Sequence, residues 1–104
     1  MRTKSTESAE AQVRIGKHHG SRDDIRELFE LAEDSALQLN SYIDEGEVYV
    51  AEAAGEGIIG QLQLISRSPA GGEIKNMAVT PPYQRRGGGT ALVQHAIDSS
   101  QRKG

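Results

Sequence analysis

The spacing of apolar residues changes period several times along the chain, and each change marks an element. From Met1 to about Gln12 the residues are polar and lack periodicity, which reads as a disordered tail. Val13 to Lys17 alternate apolar and charged residues, the signature of a short strand. After the His18-His19-Gly20 turn, Ser21 stands as a helix N-cap with Asp24 in a capping-box-like position. Ile25, Leu28, Phe29 and Ala32 then fall on one helical face. A second helical piece spans roughly Ser35 to Asp44, with Ala36, Leu39 and Ile43 facing inward.

The period then shortens. Glu47 to Ala53 reads as a strand, and Ala54-Gly55-Glu56-Gly57 as a hairpin turn. Ile58 to Ser66 is the next strand, with Gln61 and Gln63 alternating against Leu62 and Leu64. Another turn at Ser68 to Gly72 leads into a strand from Glu73 to Thr80, stopped by Pro81-Pro82 because proline offers no N–H to a ladder. Thr90 to about Arg102 forms an amphipathic helix with Leu92, Val93, Ala96 and Ile97 clustered on one face. The order is β-α-α-β-β-β-α. Short turns between the last three strands predict an antiparallel meander with helices packed on it, an α+β fold.

Composition narrows the chemistry. A chain of 104 residues makes one small domain, and with one Phe, three Tyr and no Trp its core must come from Ile, Leu, Val and Ala. The absence of cysteine excludes disulfides, thiolate metal sites and cysteine nucleophiles, which agrees with a cytoplasmic location. No apolar run reaches the length of a membrane span, and Arg2 and Lys4 precede no hydrophobic region of the secretory kind. Residues 1–70 carry 7 basic and 13 acidic side chains, whereas residues 71–104 carry 5 basic and 2 acidic. A local anion site fits this asymmetry better than a nucleic-acid surface, which needs a broader basic face.

The positive share surrounds Gln84-Arg85-Arg86-Gly87-Gly88-Gly89-Thr90, between the last strand and the last helix. Glycines leave their N–H groups free to point into a shared hollow, and a helix start adds unsatisfied donors and the positive end of its dipole. Such a loop suits a phosphate or pyrophosphate. A P-loop is excluded because no lysine follows the glycines. A dinucleotide fingerprint is excluded because Leu92 stands where its third glycine belongs. His18 and His19 point apart on extended backbone and read as surface turn residues rather than metal ligands; His95 reads as a partly exposed helical residue. Asn76 reads as satisfying a turn or a neighbouring strand, and the acidic run from Asp23 to Asp34 as a solvated helix face.

Taken together, Glu73-Ile74-Lys75-Asn76-Met77-Ala78-Val79-Thr80 and the following loop and helix resemble the central strand, loop and helix of the GNAT (Gcn5-related N-acetyltransferase) family. Gln84, Gly87 and Gly89 match the family's Gln/Arg-x-x-Gly-x-Gly/Ala loop, and the upstream element order looks like the family's N-terminal half. Gly88 departs from the pattern, standing where a larger residue is usual, and loosens the loop. The resemblance implies acetyl-coenzyme A as cofactor. It places the pyrophosphate on the backbone N–H groups of about Arg85 to Thr90, with the Arg85 and Arg86 side chains adding charge. It lays the pantetheine arm along the backbone of Met77, Ala78 and Val79, with an N–H near Met77 or Ala78 polarising the thioester carbonyl. Glu73 becomes the candidate base for a primary amine that attacks directly. No general acid is assigned, since Tyr42, Tyr49 and Tyr83 all lie outside the region where the family places one.

The family continues beyond this helix with further strands and a helix, so residues 13–104 are expected to form an incomplete domain of this kind. Two functional classes follow. One is an N-acetyltransferase acting on a small-molecule or peptide amine. The other is an inactive coenzyme A-binding or interaction module that self-associates through an exposed sheet edge. Neither implies a nucleic-acid or membrane partner.

Overall fold

A computed structural model describes residues 13–68, 71–84 and 88–103. The stretch 1–12, read above as a tail, and Arg85, Arg86 and Gly87 of the glycine loop lie outside the described residues. Four strands, β1 (Val13–Lys17), β2 (Glu47–Ala53), β3 (Gly57–Ser68) and β4 (Gly71–Val79), form one sheet in the order β1-β2-β3-β4. Every neighbouring pair is antiparallel. The α+β architecture and the element order are as the sequence predicts. Among the described residues no helix is long and apolar enough to cross a membrane.

Helices cover both faces of the sheet. On one face lie α1 (Arg26–Glu30), entered through a 3-10 turn at Arg22–Ile25, and α2 (Ala36–Tyr42). Ile25, Leu28, Phe29, Leu39, Tyr42 and Ile43 pack there on Val48 and Val50 of β2. On the other face lies α3 (Gly88–Lys103), whose Leu92 and Ala96 pack on Tyr49, Ala51, Leu62 and Val79. Strand β2 buries both of its faces, which accounts for its nearly continuous apolar run.

Burial on both faces changes the meaning of the Gln61/Gln63 alternation. Both glutamines are fully buried, facing α1 and α2. The Gln63 Nε2 donates to the carbonyls of Tyr42 at 2.8 Å and Glu45 at 2.9 Å. From outside, Arg22 Nη1 donates to Ile43 O at 2.8 Å and Glu45 O at 2.7 Å, and Nη2 to Gly46 O at 2.8 Å. The last carbonyls of a helix have no intrahelical partner. Here a buried amide and a guanidinium satisfy those of α2 and its exit, and so fix the passage into β2. Gly46 makes that turn possible at φ 63°, a conformation that side chains oppose.

The helix ends hold local corrections. Ser21 Oγ accepts from Asp23 N at 3.2 Å, and Ser35 Oγ caps α2 by accepting from Gln38 N at 3.1 Å. Because α1 stops at Glu30, Ala32 lies in an exposed turn rather than on the inner face. Ala36, at the first position of α2, is also exposed, and the inward residue the sequence reading missed is Tyr42. Ile97 of α3, expected inward, is 43% exposed.

Candidate functional site

The end of β4 and the start of α3 enclose a hollow of about 300 Å³ lined by Leu31, Met77, Ala78, Val79, Gln84 and Gly89. Five of these six are among the cofactor residues picked out from the sequence. Gly88, Gly89 and Thr90 form the first turn of α3, so their N–H groups belong to the unsatisfied donors of a helix start. A Cβ on Gly89 would stand 3.8 Å from Met77 Cε and 3.9 Å from Val79 Cγ2. Any longer side chain at this position would grow toward the residues that line the hollow. Glycine leaves that space open, as a cradle for a ligand requires.

The register decides which backbone groups β4 offers. Among the described residues β4 is an outer strand, paired with β3 alone. Thr80 N donates to Ile59 O at 2.8 Å, so Thr80 directs its backbone groups toward β3. Successive residues of an antiparallel strand direct these groups to opposite sides. Ala78, opposite Gln61, therefore also turns inward to the ladder, while Met77 and Val79 turn their N–H and C=O outward. The Gln84 side chain agrees with this: its Nε2 donates to Val79 O at 3.0 Å, a carbonyl the ladder does not use. Of the two N–H groups considered for the thioester carbonyl, Met77 is the one the register leaves available. The loop's Gln84 ties the hollow's floor to its rim.

Upstream, β4 carries a bulge. Gln63 pairs with Asn76, but Leu64 pairs with Ile74, so Lys75 is an extra residue. The bulge resets the alternation and puts Glu73, opposite Ile65, on the face of Gln63 and Asn76. Glu73 is exposed there. It lies four residues, or roughly 12 Å of strand, from Met77. Lys75 Nζ sits 4.8 Å from the centre of the Tyr42 ring.

Around Asn76 runs a buried polar chain that the sequence reading did not assemble. Asn76 Oδ1 accepts from Gln61 Nε2 at 2.6 Å, and its Nδ2 donates to Phe29 O at 3.2 Å and the Tyr42 hydroxyl at 3.0 Å. Tyr42 in turn donates to Glu33 Oε1 at 3.0 Å. Burial pushes the Tyr42 hydroxyl pKa above its ordinary value of 10.0, and the Glu33 carboxylate adds to the rise while the Asn76 bond opposes it. Alternating glutamines and a tyrosine inside a helix were the visible signals, but only the second helical layer makes them internal. Leu31, 55% exposed, was also missed. A large apolar side chain on an otherwise acidic helix face is the clue it left.

A larger groove of about 540 Å³ runs along α1, lined by His18, Asp24, Ile25, Glu27, Leu28, Leu31, Ile58, Thr80 and Pro81. It meets the first hollow at Leu31 but includes none of the glycine loop. His18 spends its Nε2 on Ser21 O at 3.0 Å. His95 packs its ring against Tyr49, with centroids 5.1 Å apart.

Comparison with known proteins identifies the family and the fold. The Acetyltransferase (GNAT) family matches residues 17–104. The chain is 32% identical over 93 residues to the uncharacterized N-acetyltransferase YvbK of Bacillus subtilis, covering 89% of this chain and 59% of that protein. A GNAT family acetyltransferase from Elizabethkingia anophelis, solved with acetyl-CoA bound, superposes with a TM-score of 0.78 at 29% identity, covering 88% of this chain and 60% of the other. A Bacillus subtilis acetyltransferase solved in complex with CoA gives a TM-score of 0.74 at 32% identity, with 86% and 59% covered. The chain thus spans about three-fifths of the length of these relatives. With the family matching residues 17–104 and the fold shared with these relatives, the chain belongs to the GNAT acetyltransferase family.

Proposed function

We propose that this chain binds acetyl-coenzyme A in the hollow between β4 and α3 and takes part in transferring the acetyl group to a primary amine. The observation that carries the reading is the convergence of Met77, Val79, Gln84 and Gly89 on one hollow at a helix start. The two relatives solved with acetyl-CoA and CoA support it. The hollow passes a test of fit on its own structure, because the position facing Met77 and Val79 is a glycine.

The bound cofactor supplies an acetyl thioester, which an amine can attack directly. The chain's own groups do the rest. The N–H groups of Gly88, Gly89 and Thr90, with Arg85, Arg86 and Gly87 before them, hold the pyrophosphate. The outward edge of Met77 and Val79 aligns the extended arm as an added strand would be aligned. The Met77 N–H donates to the carbonyl oxygen where charge develops. Glu73 accepts the amine's proton, through water given the distance along the strand. The acidic surface from Ser21 to Asp44 favours approach of a cationic amine.

Thiol release from acetyl-coenzyme A in the presence of a panel of primary amines tests this reading, and a chain without cysteine adds no background thiol. Amine-dependent release, reduced by Glu73→Gln, is expected. Binding of the cofactor with no release for any amine would reject transfer. It would favour instead a coenzyme A-binding module, for which the outer position of β4 offers a strand-pairing edge to a second copy.

A further inference from the structure

Asn76 is 4% exposed, in the same buried layer as Gln61 and Gln63. Burying a carboxamide is costly where its polar atoms go unbonded. Among the described residues Gln61 Oε1 and Gln63 Oε1 find no partner, but Asn76 does not share that cost. Both of its ends are bonded, and the partners come from three other parts of the fold. They are Gln61 of β3, the Phe29 carbonyl of α1 and the Tyr42 hydroxyl of α2. Tyr42 extends the tie to Glu33, whose Oε2 accepts from Ser35 N at 3.2 Å in the connection between α1 and α2. One side chain of β4 is thus anchored to both helices and to the neighbouring strand.

Its place in the strand gives this anchoring a consequence. Asn76 lies between the bulged Lys75 and Met77. The bulge interrupts the ladder and bends the strand just before Asn76. The first peptide unit after it, whose C=O faces Gln63 in the ladder, therefore takes its orientation from how Asn76 is held. The peptide unit joining Asn76 to Met77 carries the Met77 N–H, which faces outward. We propose that Asn76 is a positioning residue, whose carboxamide holds that peptide unit so that the Met77 N–H stays directed at the cofactor's carbonyl. The inference rests on the reading that acetyl-coenzyme A occupies the hollow. It adds a specific residue, outside the hollow's lining, that sets the donor's orientation.

Amide NMR on the isotopically labelled chain, titrated with acetyl-coenzyme A, separates the two claims. In the unaltered chain the Gly89 and Met77 signals both shift. In Asn76→Ala and in Tyr42→Phe the Gly89 response persists. The Met77 response falls about five-fold, the population change expected from losing one such hydrogen bond. Leu39→Ala, which removes packing on the same face and leaves the polar chain intact, keeps both responses. A Met77 response of full size in Asn76→Ala, with Gly89 still responding, overturns the inference and leaves the binding site standing. No Gly89 response in the unaltered chain overturns both. If Asn76→Ala fails to fold, Tyr42→Phe decides, since it keeps the ring and deletes only the hydroxyl; a full Met77 response there is equally contrary.

Discussion

The Gln84 side chain donates to the backbone carbonyl of Val79 across 3.0 Å, closing the loop that leads from β4 to α3 back onto the strand it leaves. The residue therefore acts on loop shape through the hollow's floor. Gln84→Ala should leave the fold intact and weaken acetyl-coenzyme A binding roughly five-fold, the worth of about 1 kcal/mol for one partly buried hydrogen bond. Titration calorimetry beside a thermal melt separates the two effects. Equal affinity in the variant would mean that the loop holds its shape without this tie.

Arg22 and Arg26 sit one helical turn apart and should differ sharply. Arg22 donates to three backbone carbonyls at the exit of α2, whereas Arg26 makes a single i,i+4 pair with Glu30 at 3.0 Å. Arg22→Ala should lower unfolding free energy by about 2 kcal/mol, since it removes three hydrogen bonds at that exit, although Gln63 Nε2 still reaches Ile43 O and Glu45 O. Arg26→Ala should cost about 0.5 kcal/mol or less. Urea unfolding of both variants checks the ordering.

Two turn glycines also separate strain from space. Gly46 and Gly55 both adopt positive φ, 63° and 82°. A Cβ on Gly46 would collide with the Leu64 carbonyl, while around Gly55 nothing lies within 4 Å. Gly55→Ala should cost about 1 kcal/mol from conformation alone. Gly46→Ala should cost several-fold more and move the turn that Arg22 and Gln63 hold. Melting temperatures of the two single variants read the difference directly.

Much of this architecture was legible because its punctuation is chemical. Gly55, Gly57, Gly71, Gly72 and the Pro81-Pro82 pair bound the strands, and Gln84, Gly87 and Gly89 mark the loop. What could not be read depends on layers that only the fold creates. Gln61 and Gln63 look like a solvent face until α1 and α2 cover it. The bulge at Lys75 has no glycine to announce it, so the reassignment of Glu73 to the Asn76 face was invisible. Ala32 and Ala36 fit an inward helical period, but α1 ends at Glu30, which leaves Ala32 in a turn, and Ala36 is exposed at the first position of α2. Within the site, Met77 to Val79 could be named but not which N–H is free of the ladder; that followed from the bond between Thr80 and Ile59.

Tyr42 gives the domain a pH dependence at the alkaline end. Burial, chiefly, raises its pKa in the folded state above the unfolded value of 10.0. The folded chain then holds a proton that the unfolded chain releases, so stability contributed by Tyr42 is complete below pH 10.0 and is lost as pH rises toward the folded pKa. The urea midpoint should fall above that pH in the unaltered chain. It should fall less steeply in Tyr42→Phe, whose stability at neutral pH is lower because Asn76 and Glu33 lose a partner. Parallel slopes in the two proteins would show that Tyr42 titrates alike in both states.

The reading of the hollow as an acetyl-coenzyme A site stands or falls on one titration. Calorimetry with acetyl-coenzyme A should give saturable binding near one molecule per chain. That binding should disappear when Gly87 and Gly89 are both replaced by leucine, because a side chain at Gly89 grows toward Met77 and Val79. Unchanged affinity in a folded double variant would contradict the placement of the cofactor between β4 and α3.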